Sequence, residues 1–338
     1  MEALDPMKVS VLMPVYNKAP FVREAVESVL HGTYTDIEVV AVDDASTDDS
    51  LAVLRAITDP RLRIVELKEN SGPGGAANAG LDACRGEYIV RLDADDIAVP
   101  ERIAMQVAFM DAHPEIGASG GRVRLFGSTD QVWRFPLDPD DCAAQLLFGV
   151  PVSQGASILR RSVIEAHGLR YDPAWPRVGE DWLFWCRLGA VSRMANMDQV
   201  LIEYRRGPQN ISHGRDKLAD HEVILREVFR FFSIELGDKE LDLHLMCLRL
   251  FRHPPRPRQL RALRNWLVAL VRQNQHSGPF PREAFERKVE AVWDGLFFPL
   301  ADRSPRAAWA HMRLSGSWPK DRLRYLAGAL FARNKSRA

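Results

Sequence analysis

Tyr88-Ile-Val-Arg-Leu-Asp-Ala-Asp-Asp96 is the stretch on which the fold turns. Tyr88, Ile89, Val90 and Leu92 read as a buried strand, and three carboxylates follow at once. Asp93 and Asp95 therefore project from a strand's carboxyl end, where open α/β sheets hold ligands. Acids so close repel one another. A divalent cation with oxygen ligands relieves that repulsion, and Mg²⁺ is commonly held by one or two carboxylates together with nucleotide phosphates. The expectation is a D-x-D site: Asp93 and Asp95, with Ala94 between them, holding Mn²⁺ or Mg²⁺ against a diphosphate. Taken alone, the same residues read more readily as a solvated acidic loop capping a helix that starts near Pro100, and it is the other motifs that reverse this.

Working outward, Val9 to Pro14 forms an apolar run, and Pro20 to Leu30 carries apolar residues at helical spacing. Ile37 to Val42 is the next strand. A helix capped by Ser46 or Asp48 runs to about Ile57, Leu62 to Glu66 makes a third strand, and a Gly-rich turn leads into a helix over Gly75 to Cys84. This alternation predicts an α/β fold with a mostly parallel, Rossmann-like sheet flanked by helices. From Ile116 to Leu159 the apolar runs shorten, with strands expected at Val123 to Phe126 and Ala156 to Leu159. After Ser212 helices dominate: Leu218 to Phe232, Leu241 to Phe251, Leu260 to Val271, Phe285 to Leu296 and Leu323 to Phe331, with Pro254, Pro255 and Pro257 as breaks.

With 338 residues and 46% hydrophobic content the chain can bury one large or two smaller cores. Basic and acidic residues balance at 45 each, so no global charge points to nucleic acid. The balance is uneven along the chain, net −10 over residues 1–212 and net +10 over 213–338. Cys84, Cys142, Cys186 and Cys247 lack metal or redox spacing and read as reduced cytosolic thiols. No signal-like opening and no apolar run of about 18 residues is present, so a cytoplasmic protein, soluble or peripheral at the inner membrane face, is expected.

The ordered set Val11-Leu-Met-Pro-Val-Tyr-Asn17, Val42-Asp-Asp-Ala-Ser-Thr-Asp48, Asn78-Ala-Gly80, Gly86-Glu-Tyr-Ile89, Leu92-Asp-Ala-Asp-Asp96 and Gly179-Glu-Asp181 resembles the family-2 glycosyltransferases of the GT-A fold. The resemblance covers residues 8 to about 212. It implies a glycosyltransferase domain over 1–212, with a nucleotide-sugar-binding half at 8–115 and an acceptor-side half at 116–212, followed by a mostly helical region at 213–338. It also implies Pro14, Val15 and Tyr16 in a nucleoside pocket, Asp44 at the base imide, Asn78 near the diphosphate, Asp181 as catalytic base and Glu180 as its support. From the residues alone, Asp43 and Asp44 could as well cap a helix, and Glu180 and Asp181 could serve a helix N-terminal charge effect.

Two positions depart from the family pattern. Ala77 stands where many members have Arg, and Gly207 stands where a His is frequent in the segment Tyr204-Arg-Arg-Gly-Pro-Gln-Asn-Ile-Ser212. Arg91, or Arg205 and Arg206, could supply the missing positive charge at the diphosphate. The segment Asn70-Ser-Gly-Pro-Gly-Gly-Ala-Ala-Asn78 offers backbone N–H groups before a helix, a weak phosphate-loop signal. Trp266 and the stretch Trp309 to Trp318 read as helix core. The tail 306–338 carries eight basic residues against one acid, interleaved with aromatics, and could lie on an anionic membrane.

The expected activity is metal-dependent, inverting transfer of one sugar from a nucleotide-diphosphate-sugar, UDP by preference, to a saccharide or lipid-linked acceptor, in surface polysaccharide or glycolipid assembly. Two rivals stand beside it: a glycosyltransferase-like scaffold that binds nucleotide without turnover, and a sugar nucleotidyltransferase. The absence of a Q-x-x-R-W motif argues against a processive synthase.

Overall fold

The computed structural model describes residues 8–176, 178–208, 210 and 213–335, with side chains to 328. Ser212, the expected domain boundary, and the side chains of Leu330 and Phe331 in the expected membrane tail lie outside the described residues. The chain forms two compact units, Met1–Leu146 with Val150–Arg215, and Leu147–Gly149 with Asp216–Ala338.

The first unit is built on a curled sheet whose strands are β1 (Val9–Val15), β2 (Ile37–Asp43), β3 (Leu62–Glu66), β4 (Tyr88–Arg91), β5 (Ile97–Ala98), β6 (Ile116–Gly127), β7 (Gln131–Trp133), β8 (Ile158–Arg160) and β9 (Arg193–Arg206). Their order is β3-β2-β1-β4-β8-β6-β9-β5, with β7 added on β6. The long registers are parallel, β3 with β2, β2 with β1, β1 with β4 and β6 with β9; β8 is the antiparallel insertion that joins the two parallel blocks. β1, β2 and β4 are mostly apolar because helices cover both of their faces, and nearly every residue in them is buried; the buried polar pair Ser10 and Glu38 is satisfied by a hydrogen bond from Ser10 Oγ to Glu38 Oε1 at 2.6 Å.

The helices of this unit are α1 (Val22–Leu30), α2 (Ser50–Arg55), α3 (Gly72–Ala83), α4 (Arg102–Ala112), α5 (Pro139–Gln145), α6 (Arg161–Ala166) and α7 (Glu180–Gly189). Val22, Ala25, Val26, Val29 and Leu30 of α1 join β1, β2 and β4 in one core. α3 begins at Gly72 rather than at Gly75, because Pro73 suits the first helical turn and Gly72 adopts φ 75° to enter it. β9, fourteen residues long, was not expected: its pattern is interrupted at Asp198 and Gln199, and its pairing with β6 contains register shifts.

The second unit is helical: α8 (Lys217–Phe231), α9 (Asp238–Cys247), α10 (Pro257–Ser277), α11 (Arg282–Asp294), α12 (Phe297–Arg303), α13 (Pro305–Ser315) and α14 (Lys320–Lys335). Asp216 caps α8 by accepting from the amides of Leu218 and Ala219. Pro257 opens α10 at its first position, so it starts a helix as well as ending a loop. Leu260, Leu263, Leu267 and Leu270 give α10 its buried stripe, and Trp266 stacks on Phe229. His244 is buried among Phe148, Phe229 and Trp266, with Nε2 against the Leu147 carbonyl, and burial pushes it down to about 4. The expectation for Trp309 and Trp318 is corrected: they contact each other but are 51% and 44% exposed, since α13 turns Ala307, Ala308, His311 and Met312 inward instead. Among the described residues no helix is long and apolar enough to cross a membrane.

Candidate active site

β1 is the strand from which the chain departs in both directions, to β2 on one side and β4 on the other. Such a switch point leaves a crevice beyond the strands' carboxyl ends. A cavity of about 440 Å³ opens there. Pro14, Val15, Tyr16, Asn17 and Lys18 line it from β1, Asp44 from β2, Asp93 and Asp95 from β4, Asn70, Gly72, Pro73 and Ala76 from the start of α3, and Tyr204 and Asn210 from the end of β9.

Local hydrogen bonds hold each wall. Asn17 adopts φ 53°, a left-handed conformation Asn tolerates, and its Oδ1 accepts from the Thr47 amide at 2.8 Å. The Lys18 amide donates to Ser50 Oγ at 2.7 Å. Asp44 is buried, its amide donates to the Val15 carbonyl at 2.8 Å, and its Oδ1 accepts from the Ser71 amide at 2.7 Å. Tyr16 is 44% exposed and leaves an aromatic face open at the cavity.

The acids sit opposite. Asp93 is the open one, with 39% of its side chain exposed, 3.7 Å from Arg91 Nη2. Asp95 and Asp96 are buried, as is Ala94. Burial lifts Asp95 above the usual carboxylate range, with Lys18 opposing the rise from 2.6 Å away. Asp96 is lifted further, by burial and by the charges of Asp93 and Asp95. Its Oδ1 accepts from the Arg205 amide at 2.9 Å, while Oδ2 is buried without a partner. Arg91 is 4% exposed, and its Nε and Nη1 have no hydrogen-bond partner.

Glu180 and Asp181 occupy the first turn of α7, which Gly179 enters at φ 87°. They are half-buried and are not part of the cavity lining. Burial and the neighbouring Asp181 charge push Glu180 up to about 8. Burial pushes Asp181 up to about 6 against the hydrogen bond from the Trp182 amide, and Asp93 adds to the rise. Both acids also feel Arg91, so one buried guanidinium faces Asp93, Glu180 and Asp181.

The remaining expected residues lie elsewhere. Asn78 commits both ends of its amide to the Tyr171 backbone, at 2.8 and 2.9 Å, and so anchors the loop that leads to α7. Arg205 bonds the Asp95 carbonyl at 3.1 Å and Glu24, and its guanidinium packs on the rings of Phe21 and Phe126. It braces the acidic turn. Arg206 is exposed. Asn70 heads the quoted Gly-rich segment, and Tyr204 and Asn210 lie in the quoted segment after it, but none was given a role of its own; Lys18 also lines the cavity, and its position directly after the quoted Asn17 was its one signal.

The donor set fits a hard divalent cation, since Asp93 and Asp95 are carboxylates in one cavity and Asp96 Oδ2 is a buried oxygen with an unmet need for a positive partner. Among the described residues no group of three or more His, Cys, Asp or Glu is arranged to hold such an ion. This accords with Mg²⁺-type sites that draw most ligands from water and substrate phosphate.

Residues 10–168 match glycosyl transferase family 2. An uncharacterized glycosyltransferase of Haemophilus influenzae is 30% identical over 244 residues, covering 68% of this chain and 75% of that protein. The succinoglycan biosynthesis protein ExoO of Rhizobium meliloti is 35% identical over 226 residues, covering 57% of this chain and 64% of its own length. Among solved structures, S. aureus TarS 1–349 in complex with UDP-GlcNAc aligns with a TM-score of 0.59 at 19% identity, covering 93% of each chain. The mannosyltransferase PcManGT from Pyrobaculum calidifontis, in complex with GDP-Man and Mn²⁺, aligns with a TM-score of 0.55 at 21% identity, covering 97% of this chain and 88% of that one. Likeness in sequence over the sheet and in fold over nearly the whole length points the same way as the switch-point cavity: the chain belongs to glycosyl transferase family 2, as a transferase of the GT-A fold.

Proposed function

We propose that this glycosyltransferase moves a single sugar, with inversion, from a nucleotide-diphosphate-sugar to a hydroxyl of a saccharide or lipid-linked acceptor during polysaccharide assembly. The observation that carries the reading is one cavity with Asp44 and Tyr16 at the β1–β2 wall and Asp93 and Asp95 at the β4 wall. A nucleoside fits the first wall, where a buried carboxylate can accept from a base N–H and an open ring can stack. The diphosphate then lies toward the first turn of α3 and the acids. The nucleotide-sugars bound by TarS and PcManGT, the Mn²⁺ of the latter, and the succinoglycan role in the name of ExoO support the donor class, the cation and the pathway class.

Asp93 and Asp95 would hold Mn²⁺ or Mg²⁺, which when bound neutralises charge on the diphosphate leaving group. Asp181 accepts the proton of the acceptor hydroxyl, and a base brought to about 6 is ionised at neutral pH yet basic enough to take that proton. Glu180 supports it or contacts the acceptor. Attack by that oxygen on the face opposite the diphosphate gives inversion in one displacement. Residues 8–115, joined at the cavity by Tyr204 and Asn210, serve the donor, the rest of 116–212 the acceptor, and 213–338 form a helical region whose basic tail lies on the anionic inner face of the membrane. The placement is cytoplasmic.

A screen of UDP-, GDP- and dTDP-sugars with Mn²⁺, following nucleotide release, tests the activity. The expected result is one donor class turned over, with loss in Asp181→Asn. Tight nucleotide binding with no release from any donor, whatever acceptor is offered, would favour a non-catalytic scaffold.

A further inference from the structure

Lys18 Nζ stands 2.6 Å from Asp95 Oδ2, and the two side chains are 18% and 7% exposed. Both ends of the pair are firmly mounted. The Lys18 carbonyl accepts from the amides of Phe21 and Val22 at 2.9 Å each, its own amide is held by Ser50 Oγ, and Asn17 before it is fixed through Thr47. Asp95 is held through its carbonyl by Arg205 Nε. The two residues leave adjacent strands, β1 and β4, and meet across the switch point inside the cavity.

An ammonium in this place does two things. It occupies an oxygen of a carboxylate that a divalent cation would use, and it sets a positive charge beside any cation that approaches. A diphosphate changes the balance, because its oxygens offer the ammonium other anionic partners, and a Lys stem is flexible enough to reach them from a fixed backbone.

We propose that Lys18 couples the two ligands of the donor cavity: it keeps Asp95 from a bare divalent cation, and it moves to the diphosphate when a nucleotide binds, releasing Asp95. The inference rests on the reading of this cavity as a nucleotide-diphosphate site. Coupling of this kind is reciprocal. Lys18 weakens cation binding in the empty cavity, strengthens nucleotide binding in the absence of a cation, and makes each ligand help the other.

Calorimetric titration of the full chain with MnCl₂ alone, with UDP or GDP in EDTA, and with the same nucleotide plus Mn²⁺ tests this in wild type, Lys18→Met and Lys18→Arg. Lys18→Met should bind Mn²⁺ alone about fivefold or more tightly than wild type, and nucleotide in EDTA about fivefold or more weakly, the upper end of an exposed ion pair's worth and a lower bound for this more buried one. Lys18→Arg keeps the charge and should move the Mn²⁺ and nucleotide affinities less than Lys18→Met does. Should Lys18→Met fail to fold, Lys18→Gln is expected to give the same signs. Unchanged Mn²⁺ affinity in a folded, nucleotide-binding Lys18→Met would overturn the role of Lys18 alone. No binding of UDP or GDP to any of the proteins, with or without Mn²⁺, would overturn the donor-site reading together with the inference.

Discussion

Asp181→Asn is expected to remove turnover and stabilise the fold with the same change. Burial has brought this carboxyl from its ordinary 3.8 up to about 6. At 1.36 kcal/mol per pH unit that rise corresponds to about 3 kcal/mol, and because the side chain is half-buried and partly solvated we discount it to roughly 1–2 kcal/mol. The sign follows from linkage. A folded-state value above the unfolded one means that folding favours the protonated acid, so this contribution is fully present below 3.8 and is lost as pH rises through about 6. Asn cannot ionise and keeps an oxygen for the Trp182 amide at 2.9 Å, so the variant avoids the loss. Above pH 6 its unfolding midpoint should lie roughly 2–8 °C higher, for about 2–4 °C per kcal/mol in a unit of this size, and the gain should fade toward pH 4. Turnover, measured as nucleotide release, should fall by about 10²–10⁴-fold, the usual worth of a positioned general base. In the wild type kcat/KM should rise about tenfold from pH 5 to pH 7 as Asp181 loses its proton. Scanning calorimetry at pH 4, 5.5 and 7.5 beside the rate assay checks both halves. Near-wild-type turnover would refute the role and make Glu180 the next candidate; a lower midpoint at every pH would refute the electrostatic reasoning.

Asp95→Ala should remove the Mn²⁺-dependent part of UDP or GDP binding in titration calorimetry, since it deletes one of the two cavity carboxylates that would hold the cation. Gly86→Ala should destabilise by about 1–3 kcal/mol or more, because the added Cβ would lie 2.6 Å from Val9 C and 2.9 Å from the Tyr88 carbonyl and force β1 from β4; the urea midpoint reads it. Full-length protein should sediment with anionic vesicles at low salt and less at high salt, at about 1 kcal/mol per basic residue near the surface, and Trp309→Ser with Trp318→Ser should weaken it. Indifference to anionic vesicles at low salt would favour a soluble acceptor.

Much of the first unit was legible because its inner strands are largely apolar and buried: Val9–Val15, Ile37–Asp43 and Tyr88–Arg91, with the half-exposed edge strand Leu62–Glu66 beside them, stand close to where the pattern predicts them. β9 was not legible, since its polar middle and shifted pairing break the alternation that identifies a strand, and its partner β6 lies far away in sequence. The exposure of Trp309 and Trp318 was equally hidden. Composition marks them as core, and only the face that α13 turns inward decides otherwise.

At the candidate site, the carboxylates at strand ends, the Gly-rich start of α3 and the acidic first turn of α7 were readable from residue order, because each is a local pattern tied to the end of an element. It did not determine what each charge faces. Lys18 and Asp95 are 77 residues apart, Asn78 and Tyr171 are 93 apart, and Arg205 and Asp96 are 109 apart. These pairings exist because β4 lies beside β1 and because the end of β9 reaches the turn after β4, and strand order is a property of the packed sheet. Burial is decided there too: it lifts Asp181 to about 6 and leaves Asp93 open.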